Sequence, residues 1–342
     1  MASEIFPLLT KGTYLNTAYM GLMSEGMSNF RRDYEKRYLL EAEPYKLNED
    51  NLLSETLENL AKFFDAYEKN IFAIPNFSFG IRQAISYLPE NLNVLLIKED
   101  YPSLVKAFDE KKFNIQTISI QSELELAIAK RFENNRIDIL ALSIVQYTSG
   151  LLIDIDFLRK LKSQYPDLII IGDGTQFLGA HHFEFKSSPF DVVAASGYKW
   201  LLAGFGNGVL MVSDFFLSRI KKKAFNLYDD IYIGHFNILS VASLNISIKN
   251  FQKNNFFKLI KQKEKLSKKA KRILSDNFFI KEWVKKRKEH SSIFILDGNK
   301  TLYNILTKNK IHCVMRGKGI RISFHFYNTQ KDLDYLIKVL KK

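Results

Sequence analysis

The sequence predicts an α/β protein: a large domain with a mostly parallel sheet flanked by helices, plus a smaller C-terminal α+β domain. Three observations predict it. The chain has 342 residues, enough for a large core and for two domains. Between residues 71 and 212, apolar strand-like runs alternate with helical patterns, which is how βαβ units with right-handed crossovers read in sequence. After Val212 the character changes to basic helices and then to a second, smaller set of strands. The expected division is 16–234 for the large domain, with 1–15 and 235–342 in the small one.

The elements follow in order. Tyr14 to Ala18 is a short extended stretch leading to Tyr19-Met-Gly21. Ser28 to Leu40 is amphipathic, and from Asn51 to Phe64 the residues Leu53, Leu57, Leu60 and Phe64 recur at helical spacing. IFAI at 71–74 reads as a buried strand, and Pro75-Asn76-Phe-Ser78-Phe-Gly80 separates it from a helix beginning near Gly80. Such a turn suits an anion, because free N–H groups and the helix dipole favour negative charge. The plainer reading, that Asn76 and Ser78 cap the helix, explains the same residues. VLLI at 94–97 is the next strand and ends in Glu99-Asp100-Tyr101-Pro102-Ser103, before a helix through Phe108. A strand at 113–120, a helix from Glu123 to Phe132, the strand IDILALSIV ending at Gln146-Tyr147, and a helix from Ile155 to Gln164 complete the run.

The centre of the chain is Leu168 to Gly208. The apolar run LIIIG leads into Asp173-Gly-Thr-Gln176, and DVVAAS ends at Ser196-Gly-Tyr198-Lys199. The turn AGFGNG and the strand VLMV follow. A carboxylate and an amine therefore stand just past two strands, where open α/β sheets bind ligands. Farther on, Phe215 to Phe225 reads as a basic helix, 232–237 as a loop, and Leu239 to Lys249 as a helix. In the lysine-rich segment from Lys258, the residues Leu259, Ile260, Leu266, Ala270, Ile273 and Leu274 keep helical spacing, so the lysines are expected on the solvated face. The tail reads as SIFIL (292–296), a helix around 302–307, the single strand IHCVM (311–315), IRISFHF (320–326) and a helix from Gln330.

Composition narrows the class. Hydrophobic residues make up 46% and charged residues 25%, ordinary for a soluble globular protein. The formal charge of +13 comes without a nucleic-acid motif, so solvated helix faces explain it and no nucleic-acid partner is expected. No apolar run approaches the ~20 residues of a membrane span. The first residues lack the basic and apolar regions of a secretory signal. A single cysteine, Cys313, excludes an internal disulfide and a multi-cysteine metal site. The expectation is a cytoplasmic protein with no membrane partner.

Three chemistries compete for the central stretch. Dinucleotide binding is disfavoured, because Gly204-Phe-Gly206-Asn-Gly208 is GxGxG and precedes a strand, not a helix. A metal site is not expected, because His181 and His182 on an extended segment point to opposite faces. Pyridoxal phosphate chemistry needs a lysine for the aldehyde, a carboxylate for the pyridine nitrogen, a phosphate seat and a stacking ring. Lys199, Asp173, the turn 76–80 and Tyr101 supply these parts, each just past an expected strand.

The ordered set Asp173-Gly-Thr-Gln176, His181-His182, Asp191 and Ser196-Gly-Tyr-Lys199 resembles the class V aminotransferases. These are fold-type-I pyridoxal-phosphate enzymes that include cysteine desulfurases and isopenicillin-N-epimerase-like proteins. The segments 76–80, 99–103 and 321–329 extend the resemblance over most of the chain. It implies that Lys199 holds the cofactor as a Schiff base and later moves the Cα proton. Asp173 would pair with the pyridine N–H, and Gln176 would donate to the phenolic oxygen. Ser78, Ser196 and the backbone around Phe79 would hold the phosphate, and Tyr101 would stack on the ring. Arg321 would take the substrate carboxylate, with Asn16 beside the substrate. The resemblance also implies a homodimer acting on a small amino acid.

Some positions depart from the family. Tyr198 replaces the histidine before the lysine, and its hydroxyl can still reach a phosphate oxygen. His235 stands where the family often has a threonine that contacts the partner subunit's phosphate, and Gln146-Tyr147 replaces an asparagine near the phenolic oxygen. Cys313 lies inside an apolar run, and only Arg316-Gly-Lys-Gly319 separates that run from the next strand, so the mobile cysteine loop of a desulfurase is missing. The sequence-based expectation is therefore not a desulfurase but an aminotransferase. Desulfurase-, selenocysteine-lyase- or epimerase-like chemistry is the alternative, since it shares the first proton loss. A weakly catalytic binding protein on the same fold is a third reading, opposed by intact Lys199 and Asp173.

Overall fold

The computed structural model describes residues 6–220 and 227–341. Its strands are β1 (Thr13–Tyr14), β2 (Ile71–Ile74), β3 (Asn93–Ile97), β4 (Asn114–Ile118), β5 (Ile139–Ser143), β6 (Ile169–Asp173), β7 (Val192–Ser196), β8 (Gly208–Val212), β9 (Ile293–Asp297), β10 (Ile311–His312), β11 (Val314–Arg316) and β12 (Gly319–Ser323). Seven form one sheet in the order β2-β8-β7-β6-β5-β3-β4. The strands from β3 to β7 pair in parallel, and β8 runs antiparallel to both of its neighbours. This is the expected mostly parallel sheet. β5 to β8 are buried along their whole length, which is why they read as unbroken apolar runs.

Helices cover both faces. The helix Glu49–Phe64 packs on one face, with Leu53, Leu57, Leu60 and Phe64 buried in the same cluster as Val209 and Met211. Phe77–Ser86 and Pro102–Asp109 cover the other face, over Phe72, Leu96 and Val192. The helix Ile238–Lys253, which lies beyond the expected domain boundary, buries Val241, Leu244, Ile248 and Phe251 in the first of these cores. A three-stranded sheet, β11-β12-β9, forms the small domain with the helices Phe256–Asp276 and Gln330–Leu340 against it.

Three expectations need correction. IHCVM is not one strand: β10 pairs in parallel with β1, whereas β11 joins β12 in another sheet, with Cys313 at the step. A mainly apolar run, broken only by His312, signals burial but not which neighbour each half pairs with. The basic helix expected over 215–225 is a single short helix, Asp214–Ser218, within the described part, and residues 221–226 lie outside the described residues. The lysines of Phe256–Asp276 do not all face solvent: Lys263 is buried and donates to the Ala180 carbonyl.

Residues 13–21 tie the two ends of the chain together. Besides the β1–β10 pair, Ser323 N–H donates to the Leu15 carbonyl at 2.8 Å and Ala18 N–H to Ser323 Oγ at 3.0 Å. Gly21 N–H then donates to the Tyr198 carbonyl at 3.0 Å. A Cβ at position 21 would lie 2.0 Å from the Lys199 carbonyl oxygen, so only glycine admits this approach.

Candidate active site

The site is built where strands end. β6 ends at Asp173, β7 ends at Ser196, and Lys199 follows on the turn after β7. That turn is tight: Leu202, Gly204 and Gly206 all have positive φ, at 56°, 73° and 85°. A left-handed leucine is rare, and strained backbone of this kind gathers at functional sites. Ser196 Oγ accepts the Phe77 N–H at 3.0 Å and so draws the N-terminus of Phe77–Ser86 to the same place. A cavity of about 390 Å³ results, lined by Ser78, Tyr101, Asp173, Gln176, Ser196, Tyr198 and Lys199. These are seven of the residues singled out from sequence.

The central pair is buried. Asp173 is raised from its ordinary 3.8 to about 7, mainly by burial and further by the nearby charge of Asp100; bonds from Thr175 and the charge of Lys199 oppose this. Lys199 is lowered from 10.5 to about 8, mainly by burial; Asp173 opposes this, and Arg321 and Arg316 add to it. Burial disfavours both charges, and each partner restores some of the other's. A lysine with depressed proton affinity is the form that reacts with an aldehyde.

Arg321 lies on β12 and is fully buried. Its guanidinium donates to the Tyr147 carbonyl at 2.6 Å, and Tyr147 lines the cavity. Its Nε has no partner, and among the described residues no carboxylate comes within ion-pair distance of it. Burial, reinforced by Arg316, lowers Arg321 to about 10. Arg316, at the end of β11, likewise keeps a buried Nε without a partner and lies 5.7 Å from the Tyr19 ring. Sequence reasoning did not single out Arg316; an arginine beside the Gly-Lys-Gly turn was its only signal.

Several expected donors are already engaged. Phe79 N–H donates to Asn76 Oδ1 at 3.0 Å, so the cap reading of Asn76 holds and that N–H is not free for a phosphate. Ser103 Oγ donates to Ser78 Oγ at 2.6 Å. Gln176 accepts from the Trp200 indole at 2.7 Å and donates to the Ala18 carbonyl at 2.9 Å, leaving one amide hydrogen. Gln146 is turned into the protein, bonded to Glu99, Asp100 and Thr148. Tyr101 meets Tyr147 edge-on at 5.6 Å. Asn16 is half-buried, and its Oδ1 is buried with no partner. His235 is not brought to this cavity: it is exposed, with Nδ1 3.1 Å from Glu49 Oε1. Cys313 is buried, and burial pushes its thiol up to about 12.

The fold and this strand-end site define a class, and comparison with known proteins agrees with it. The family model for aminotransferase class-V matches residues 51–336, and the chain belongs to that family. A probable cysteine desulfurase of Mycoplasma genitalium is 24% identical, covering 85% of this chain and 81% of its own. Among solved structures, a C-DES mutant with glycine covalently linked to its PLP cofactor superposes with a TM-score of 0.87 at 14% identity, over 99% of this chain and 98% of that one. The cystine C–S lyase C-DES in complex with its product cysteine persulfide gives 0.83 at 15%, over 98% of both chains.

The cofactor is pyridoxal phosphate, and the residues present fit it. A buried acid and a lysine of depressed proton affinity share the cavity, a ten-residue helix points its N-terminus at it, and Ser78, Ser196 and Tyr198 line it with hydroxyls.

Proposed function

We propose that this pyridoxal-phosphate enzyme breaks the carbon–sulfur bond of a cysteine-type amino acid. The carrying observation is Arg321, a buried guanidinium without a carboxylate, beside the cavity that holds Asp173 and Lys199. It is a place for the carboxylate of an amino acid, which a planar fork binds in two-pronged fashion.

When bound, the cofactor supplies an electron-withdrawing ring that draws charge from the substrate's Cα. The chain's residues do the rest. Lys199 anchors the group and, as a free amine, takes the proton from Cα. Asp173 would pair with the ring nitrogen, while Ser78, Ser196 and the helix N-terminus would hold the phosphate. Tyr101 would stack on the ring, and Arg321 would fix the carboxylate so that the Cα–H bond is presented to Lys199.

The relatives support sulfur chemistry ahead of transamination, since one is named a probable cysteine desulfurase and another a cystine C–S lyase. Cys313 is not the sulfur acceptor in this reading: it is buried, its thiol holds its proton, and the β11–β12 turn carries no cysteine. The sulfur leaves with its own partner. On cystine, the Cα proton goes to Lys199, the Cβ–S bond breaks, and the leaving sulfur keeps the bonding pair as cysteine persulfide. Water then converts the three-carbon remainder to pyruvate and ammonia. The test is product analysis with cystine and cysteine. Pyruvate is expected from both, with sulfane sulfur from cystine and sulfide from cysteine, undiminished in Cys313→Ala; a keto acid that keeps its sulfur would overturn the reading.

The proposed assembly is a homodimer. Tyr38, Leu39, Leu40 and Leu47 leave an apolar face exposed, and His235 bonds Glu49 just beyond it. A monomer by light scattering would remove this part.

A further inference from the structure

The segment after β3 carries a second buried acid that the reading above leaves unused. Asp100 is 5% exposed. Its Oδ2 accepts the Ser143 N–H at 2.7 Å. Its Oδ1 accepts the Tyr101 N–H at 2.7 Å, Gln146 Nε2 at 3.2 Å and the Ser143 hydroxyl. Three of these four groups are N–H donors, which cannot accept a proton from the acid, so the site is shaped for a carboxylate. Among the described residues no lysine or arginine comes within ion-pair distance of it. Its proton affinity is raised overall, by burial, with the bonds from Ser143 and Tyr101 opposing the rise.

Asp100 lies near enough to Asp173 for its charge to act on it. Ser143, which Asp100 grips by both N–H and hydroxyl, is the register partner of Asp173 across β5 and β6. Neighbouring strands are about 4.8 Å apart, and β5 lies between β3 and β6, so the two acids stand about two strand spacings apart at the carboxyl end of the sheet. Cations also border the site: Lys199 follows β7, Arg321 lies on β12 and Arg316 on β11, with Tyr19, Tyr101, Tyr147 and Tyr198 as further ionisable groups there. Of these cations, Lys199 acts on Asp173 directly, and Arg321 and Arg316 act on Lys199.

We propose that Asp100 is a positioning residue of the cofactor site: its charge, fixed behind Ser143, joins that of Asp173 to keep a proton on the aromatic nitrogen that faces Asp173. This rests on the proposed cofactor but not on the reaction. Like charges placed together raise proton affinity at the point between them and the ligand, and the effect is stronger where water is excluded.

The experiment titrates protein loaded with ¹⁵N-labelled pyridoxal phosphate by ¹⁵N NMR, which reports the proton on the ring nitrogen directly. In Asp100→Asn the nitrogen should lose its proton about tenfold more readily, a midpoint about one pH unit lower. Asp100→Glu should keep the wild-type midpoint. If Asp100→Asn does not fold, Asp100→Ser, which leaves room for water to take the bonds, should show the same fall. A folded, loaded neutral variant with an unshifted midpoint overturns the inference. A wild-type protein that takes up no cofactor removes the proposed function and this inference together.

Discussion

On the large-sheet side of the site, the polar groups already have partners. Asp173 accepts the Thr175 N–H, Gln176 is held by Trp200 and Ala18, and Ser196 is held by Phe77 and Thr175. On the small-sheet side, Arg321 and Arg316 each keep a buried Nε with none. A buried guanidinium without an acid costs stability in the empty protein. The first wall is rigid before anything binds, as a resident group requires. The second is incomplete until an anion arrives, as a substrate that comes and goes requires.

The largest expected effect breaks the first wall. Lys199→Ala should abolish covalent attachment, read as loss of the yellow colour and of borohydride-fixed cofactor. Next, Arg321→Ala should weaken substrate capture by about 2–5 kcal/mol, roughly thirtyfold or more in KM, with cofactor binding little changed. The same substitution should leave the empty protein no less stable, because it removes an unpaired buried charge. A large fall in Tm would show that Arg321 belongs to the finished wall instead.

The charge pair sets a pH dependence. Lys199 carries its proton below about 8, and only the free amine attacks an aldehyde. Attachment of pyridoxal phosphate to the empty protein should therefore quicken about tenfold per pH unit up to about 8 and then level. Asp173→Asn removes a charge that favours the protonated lysine, so its levelling point should fall. Stopped-flow absorbance measures both. The smallest effect is expected at Cys313→Ala: unchanged turnover, with a modest cost in stability for the lost packing.

The first wall was legible from sequence because its parts sit at fixed offsets from apolar runs. LIIIG-Asp173 and DVVAAS-Gly-Tyr-Lys199 each carry strand and functional residue in one window. The second wall was legible only in part. Arg321 came through resemblance, and Arg316 was missed, because a strand arginine reads as a surface residue until the fold buries it. The occupied bonds of Gln176 were likewise out of reach, since Trp200 and Ala18 meet it only through the tertiary fold, whereas the Asn76 cap on Phe79 was the plainer local reading. The split of IHCVM depended on a partner strand at the far end of the chain.

That partnership bears on how the enzyme is made. Thr13 pairs with Ile311, and residues 15–18 bond to Ser323. About three hundred residues separate them, and ribosomes add about 5–20 residues per second. Residues 13–18 therefore wait on the order of fifteen seconds to a minute for their partners. The large sheet can form in the meantime, but the segment that seals Lys199 from behind docks only once residues 311–323 have been made. A chain truncated just before Ile311 would have its reactive lysine and no clasp over it.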